Sequence, residues 1–306
     1  MQDETVMNNL WRCNIKTGAK QNVDPAEFCF KNGIVGIGWP LDETPKSKDD
    51  CWKKSEAIFK AKHGRSWSAA ANIILYRMDL NDLVWSRNSK ARYFLGRVTS
   101  DWKYSNSLDH RDADVVNFRS CQWIDVGSVD NVPGSVVNSF IPSATVQAVT
   151  DETSATYSKL LYNEKVGKPH YQIEPLGDIL SLISAEDLED VVGIYLQCEK
   201  DYVLFPSTCK SDTQFVEYIL RSKTDHHIAG VQVKSGNVSL EPSSYSSFGD
   251  KVYLFAASGN YGSDSKNAVC LSPQKIREFL LGNIELMPQR IQRWCRAYQN
   301  KVQSNL

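Results

Sequence analysis

The sequence predicts an α/β chain of the α+β kind, a small bent β-barrel followed by a mixed sheet flanked by helices. Three observations carry that expectation. The chain has 306 residues, the length of two ordinary domains. Its first half is a run of short apolar segments parted by turn residues, whereas beyond Glu164 apolar residues recur at helical spacing. Hydrophobic residues make up 42% and charged residues 23%, enough material for two cores.

The elements follow in order. Leu10–Ile15 alternates weakly and reads as a strand. Ile34-Val-Gly-Ile-Gly-Trp39 is a short apolar strand whose glycines permit close backbone approach. Ser66–Leu75, with three consecutive alanines, reads as a helix. Asp82–Trp85, Arg92–Val98 and Val115–Val126 read as strands, and Val136–Val149 contains another. A helix over Thr153–Asn163 closes a first domain of residues 1–163. Residues 164–175, polar and holding Gly167 and Pro169, form a linker to a second domain of residues 176–306. There, Leu176–Leu182 and Glu186–Gln197 read as helices. Tyr202–Phe205, Gln214–Leu220, Ile228–Val233 and Val252–Ala257 read as strands. Ser272-Pro273 opens a helix to Leu281, with serine at the cap and proline in the first turn. A last helix runs from Pro288 to Val302, and Ser243–Asp250, which precedes the fourth strand, is Ser/Gly-rich rather than helical.

Composition removes several classes of function. No run approaches the roughly 18 apolar residues of a membrane span, and the acidic, polar start has no secretory signal, so a cytoplasmic protein with no membrane partner is expected. Eight cysteines are scattered without a Cys-x-x-Cys pair or zinc-ligand spacing. The net charge of −1 means that a nucleic-acid partner would be held by a local patch. Tryptophan is more informative. Six of the 8, at 11, 39, 52, 67, 85 and 102, fall in the first third, which implies an aromatic core or a pocket walled by rings.

The chemistry concentrates in Asp225-His-His-Ile-Ala-Gly-Val-Gln-Val-Lys-Ser-Gly236. Side chains alternate along a strand, so Gln232 and Lys234 share a face that Val231 and Val233 do not. A buried ammonium must be paired or lose its proton. Glu217, fifteen residues before Gln232 and flanked by apolar residues, is the acid on the preceding strand. At these residues the chain resembles the PD-(D/E)xK nuclease superfamily, and within it the Mrr-like restriction enzymes, whose last motif position is often Gln-x-Lys. The order helix, three strands, crossover, strand, helix matches that fold.

The resemblance implies a Mg²⁺- or Mn²⁺-dependent endodeoxyribonuclease. Glu217, Gln232 and the Val233 carbonyl would hold the metal, Lys234 would be the catalytic lysine, and Glu189 the helical acid, with Glu186 as substitute. Asp212 and Asp225 compete for the metal, and His226 and His227 receive no catalytic role. Glu217 stands where the family more often has aspartate, and no Pro-Asp precedes it. Arg290 and Arg293, trailed by Arg296 and Lys301, suggest a phosphate-tracking stripe on the last helix.

The first half resembles the PUA-like folds of the EVE and YTH-type branch. The likeness rests on Lys31–Trp39, Asp82–Trp85, Tyr93–Val98 and Asn117–Trp123. It implies an aromatic cage for a flipped, often methylated base, with Trp39, Trp85 and Trp102 as walls and Arg97 or Arg119 on phosphates. Together the resemblances imply a modification-dependent, type IV-like restriction factor in bacterial anti-phage defence. Its partner would be DNA carrying a modified base, and a homodimer would cut both strands. The rival expectation is a non-catalytic sensor of modified or foreign nucleic acid that signals to a second defence protein.

Overall fold

The computed structural model describes residues 9–15, 19–20, 23–141, 144–173, 178–209 and 216–304. The chain divides into two compact units, Met1–Ile173 and Glu174–Leu306. Among the described residues no helix is long and apolar enough to cross a membrane.

The first unit is a curled half-barrel sheet with helices. Its strands are β1 (Leu10–Cys13), β2 (Ile34–Ile37), β3 (Leu83–Arg87), β4 (Tyr93–Val98), β5 (Lys103–Tyr104), β6 (Asn117–Gly127) and β7 (Val146–Ala148). They lie in the order β2-β6-β4-β3-β1-β7, with β5 also on β6. β1 and β3 are parallel and the other pairings antiparallel. Strand alternation gives the sheet two apolar faces. Trp11, Cys13, Val35, Ile37 and Val84 form one core with Trp67, Ala70 and Ile74. On the other face the Trp85 indole donates to Ser158 at 2.9 Å and Tyr93 packs edge-on against Phe140.

The helices are α1 (Pro25–Asn32), α2 (Lys48–Asn72), α3 (Leu108–Asp112), α4 (Gly134–Ser139) and α5 (Glu152–Val166). α2 begins eighteen residues before the expected helix at Ser66. Ser47 caps it through the Asp50 N–H, and it bends at Gly64 before ending in a π-helical turn, Ile73–Arg77. α1 was not expected, although its punctuation is in the sequence. Asp24 caps it, Pro25 occupies its first turn, and Gly33 ends it in the left-handed conformation. Val136–Val149 contains the expected strand, β7, after the end of α4. α5 runs on to Val166 and ends at a left-handed Gly167, inside the segment read as linker.

The second unit is a five-stranded mixed sheet flanked by helices. Its strands are β8 (Tyr202–Leu204), β9 (Tyr218–Ser222), β10 (Ile228–Lys234), β11 (Lys251–Ala256) and β12 (Ala268–Cys270), in the order β12-β11-β10-β9-β8. β10, β11 and β12 run parallel, and β8 and β9 pair antiparallel. Among the described residues four α-helices accompany it: α6 (Ile179–Leu182), α7 (Ala185–Glu199), α8 (Pro273–Gly282) and α9 (Gln289–Ser304). α7 buries Leu188, Val191, Val192, Tyr195 and Leu196, each contributing about 1.5–3 kcal/mol through burial. Between β10 and β11 the chain makes a 3₁₀ turn, Pro242–Tyr245, in the segment read as Ser/Gly-rich rather than helical. β12 is a further strand that the sequence reading lacked.

Candidate functional sites

The end of β10 gathers the polar residues of the second unit. The register of β9 with β10 sets Ile219 opposite Gly230, so Glu217, Gln232 and Lys234 fall on one face of the sheet. Glu217 stands just before β9 rather than in mid-strand, and its N–H donates to the Val231 carbonyl at 2.7 Å. Its Oε1 accepts from Gln232 Nε2 and from Lys234 Nζ, the latter at 3.3 Å. Gln232 is buried, which requires the amide to be partnered, whereas Lys234 and Glu217 remain partly open to solvent.

Glu189 approaches from α7. Burial first, then the charge of Glu217, raise its carboxyl to about 7, while Lys234 acts in the opposite direction. The helix is held there because the Tyr218 hydroxyl donates to the Glu189 carbonyl at 3.0 Å, and Gly193 leaves room for the Tyr218 ring. Tyr245, in the 3₁₀ turn, has its phenol raised by burial and by the charge of Glu217. The sequence reading missed it; its signal was a lone tyrosine in a Ser/Gly-rich crossover. Among the described residues no group of three or more His, Cys, Asp or Glu is placed to hold a metal ion. The oxygen donors at this face are the carboxylates, the Gln232 amide and backbone carbonyls.

Other expected residues lie elsewhere. Arg290 makes ion pairs with Asp187 and Asp190, so it locks α9 to α7 instead of facing a phosphate. Arg296 pairs with Glu285 at 3.0 Å, and Arg293 is half-buried on the same helix. Asp225 holds His227 Nδ1 at 2.5 Å, and His227 Nε2 meets the Tyr202 hydroxyl at 2.6 Å. Asp225 is thus committed away from Glu217. Asp212 and the side chain of Lys301 lie outside the described residues.

In the first unit the tryptophans separate. Trp85 is 0% exposed with its N–H satisfied by Ser158, so it is a core residue rather than a pocket wall. Arg119 is 2% exposed; it donates to the carbonyls of Ile74 (2.7 Å) and Leu75 (3.0 Å) and to Asp101 (2.9 Å). It satisfies the last carbonyls of the α2 region rather than a phosphate. Arg97 donates to Asn81 at 2.9 Å and Gln122 at 3.1 Å.

Trp102 and the backbone just before Trp39, by contrast, meet at one amide. Asn117 Nδ2 donates to the Gly38 carbonyl at 3.0 Å, and Asn117 Oδ1 accepts from the Trp102 indole at 3.2 Å. Tyr104 joins them, its ring 6.4 Å from Trp102 and its hydroxyl accepting from the Leu41 N–H at 2.7 Å. Trp39 has φ 65°, a left-handed backbone that is costly for a bulky residue. A Cβ on Gly38 would sit 2.4 Å from the Asp114 carboxylate oxygens, which would have to move to admit it. Both rings remain partly exposed. The sequence reading missed Tyr104, Asn117 and Asp114.

Comparison with known proteins gives this geometry little company. A family model described as a domain of unknown function (DUF8426) matches residues 11–148. No curated protein matches the chain. Among solved structures, the chain is similar to protein Atu2648 from Agrobacterium tumefaciens at 13% identity and a TM-score of 0.24, over 53% of this chain and 96% of that one. It is also similar to the DNA modification-dependent restriction endonuclease AspBHI at 11% identity and a TM-score of 0.23, over 87% of this chain and 79% of that one.

Proposed function

We propose that the chain is a modification-dependent DNA endonuclease whose second unit hydrolyses phosphodiesters with Mg²⁺ or Mn²⁺ and whose first unit reads an altered base. The observation that carries this reading is the meeting of Glu217, Gln232 and Lys234 on one sheet face, with the half-buried Glu189 beside them. Two carboxylates that repel each other, a side-chain amide and the Val233 carbonyl form an all-oxygen donor set, the kind a hard divalent cation takes. Glu217, Gln232 and the Val233 carbonyl would hold the ion, with Glu189 in support. When bound, the ion supplies Lewis-acid polarisation of the phosphodiester. Lys234, paired with Glu217, orients the attacking water and offsets the negative charge that grows on the phosphate oxygens. Glu189, balanced between its two forms near neutral pH, is suited to exchange a proton at its carboxylate oxygen.

In the first unit Trp39 and Trp102 offer ring faces to an unstacked base, each platform being worth about 1–3 kcal/mol. That is enough to offset the few kcal/mol that flipping costs. The role fits a bacterial cell defending itself against phage DNA, acting as a homodimer on both strands.

The test is cleavage of phage-derived, methylated and unmodified DNA by the purified chain with Mg²⁺, with Mn²⁺ and with chelator. Metal-dependent cutting that prefers modified DNA supports the reading, and binding without cutting under every condition rejects the catalytic half of it. One observation favours a second reading, a non-catalytic sensor that signals to a partner protein. No group of three acidic, His or Cys ligands stands at the site among the described residues. In that case Lys234→Ala would leave both nucleic-acid binding and signalling intact.

A further inference from the structure

The helix α2 treats its lysines in two different ways. Near its start and middle, Lys48 pairs with Asp101 at 2.6 Å, Lys54 with Asp50 and Glu43, and Lys60 with Glu56 at 2.7 Å, whereas the exposed Lys53 makes no ion pair with a described residue. At the bend, the exposed run Lys60-Ala-Lys-His-Gly-Arg-Ser66 carries Lys62 and Arg65, and neither makes an ion pair with a described residue. The bend itself is built by Gly64, at φ 47° and ψ −124°, a conformation that residues with a Cβ rarely adopt. No atom lies within 4 Å of where a Gly64 Cβ would be, so local crowding does not force the turn.

This bend is tied to the aromatic site. The His63 ring stands edge-on to Trp39 at 6.4 Å and leans on Phe59 at 6.1 Å. Beyond Trp39, the chain reaches Leu41, whose N–H is held by Tyr104, and the charge of Arg111 acts on that same phenol. Arg111 is exposed and likewise makes no ion pair with a described residue. Lys62 and Arg65 thus stand on either side of His63, which meets the Trp39 ring, while Arg111 of α3, with Asp42 opposing it, acts on the Tyr104 phenol.

We infer that the α2 bend is a phosphate clamp. Lys62 and Arg65 on one side, with Arg111 on the other, hold the sugar–phosphate backbone of the DNA strand whose base lies against Trp39 and Trp102. The inference rests on the reading of those rings as a base platform. Unstacking a base opens the backbone at that nucleotide, and cations on both sides neutralise the phosphates that become exposed. Recognition of this kind is blind to sequence, because phosphates carry none, so the rings alone would select the base.

Salt dependence tests the clamp, because each phosphate neutralised contributes about −0.9 to the slope of log K against log salt on duplex DNA. Binding of the full chain is followed by anisotropy on short labelled duplexes, one with a central 5-hydroxymethylcytosine, one with a central mismatch and one unmodified. The proteins are wild type, Lys62→Ala/Arg65→Ala, Lys62→Arg/Arg65→Lys and Trp39→Ala. The double alanine variant should flatten the slope by about 2 on all three duplexes, and the charge-keeping variant should restore it. Trp39→Ala should weaken binding by about 5- to 150-fold with the slope unchanged. A slope equal to wild type in the double alanine variant, with Trp39→Ala still impaired, overturns the clamp and leaves the base platform standing. Absence of wild-type binding to all three duplexes overturns both.

Discussion

Charge gathers at one candidate site and ring area at the other. At the end of β10, a carboxylate, an amide and an ammonium from adjacent strands share a sheet face, and each restrains the next. At the Asn117 hub, the amide accepts from the Trp102 indole and holds the chain before Trp39 through the Gly38 carbonyl, and the Tyr104 phenol accepts from the Leu41 N–H. The first arrangement suits bond breaking, because opposed charges held in a partly desolvated place can stabilise charge that develops during a reaction. The second suits binding, because rings offer area without demanding one partner geometry. The difference also separates what substitutions should do: at β10 they should alter rate, and at the hub, affinity.

The largest expected effect marks the border of the aromatic site. Trp85→Ala should cost about 3–5 kcal/mol of stability in urea unfolding, as emptying a buried indole site does. Trp39→Ala or Trp102→Ala, at partly exposed rings, should cost less stability and instead lower affinity for DNA by about 1–3 kcal/mol per ring. Equal destabilisation by Trp85→Ala and Trp39→Ala would erase the distinction between core and platform. Next in size, Arg290→Ala should destabilise by about 1–3 kcal/mol, because Asp187 is left buried without its partner. The salt slope of DNA binding should stay unchanged, and a flatter slope would return Arg290 to the nucleic-acid surface.

The smallest effect concerns pH. The Glu189 carboxyl is raised from 4.5 to about 7 in the fold, so between those values the folded chain binds more protons than the unfolded one. Stability should therefore fall as pH rises through that window. Glu189→Gln removes the fall: its unfolding midpoint should match wild type near pH 4 and exceed it near pH 8. Parallel pH profiles for the two proteins would contradict the half-buried setting of Glu189 on α7.

The β10 site was legible in the sequence because strand chemistry repeats every two residues. Gln232 and Lys234 must share a face once Ile228–Lys234 is a strand, and the antiparallel register of β9 fixes which acid meets them. The register also moved Glu217 from mid-strand to the strand mouth, which spacing alone does not determine. The aromatic hub was harder to read because the first unit buries tryptophans from its strands and from its helices, at Trp11, Trp67 and Trp85. Sequence marks Trp39, Trp85 and Trp102 as equals; Trp85 is buried with its indole bonded to Ser158 on α5, whereas the Asn117 amide holds the Trp102 indole and, through the Gly38 carbonyl, the chain before Trp39. Arg119 and Arg290 misled for a related reason. An arginine that satisfies helix carbonyls or a buried aspartate has the same sequence signature as one that waits for phosphate.

The central claim is that Glu217, Gln232 and Lys234 form a working hydrolytic centre. Single-turnover cleavage of modified DNA in Mg²⁺, with binding followed in parallel, tests it most directly. The account predicts that Lys234→Ala and Glu217→Ala each slow cutting by about 10²–10³-fold or more, the loss expected when one charge-stabilising group is removed, while DNA affinity stays within a few-fold of wild type. Cutting at the wild-type rate by either variant would contradict it.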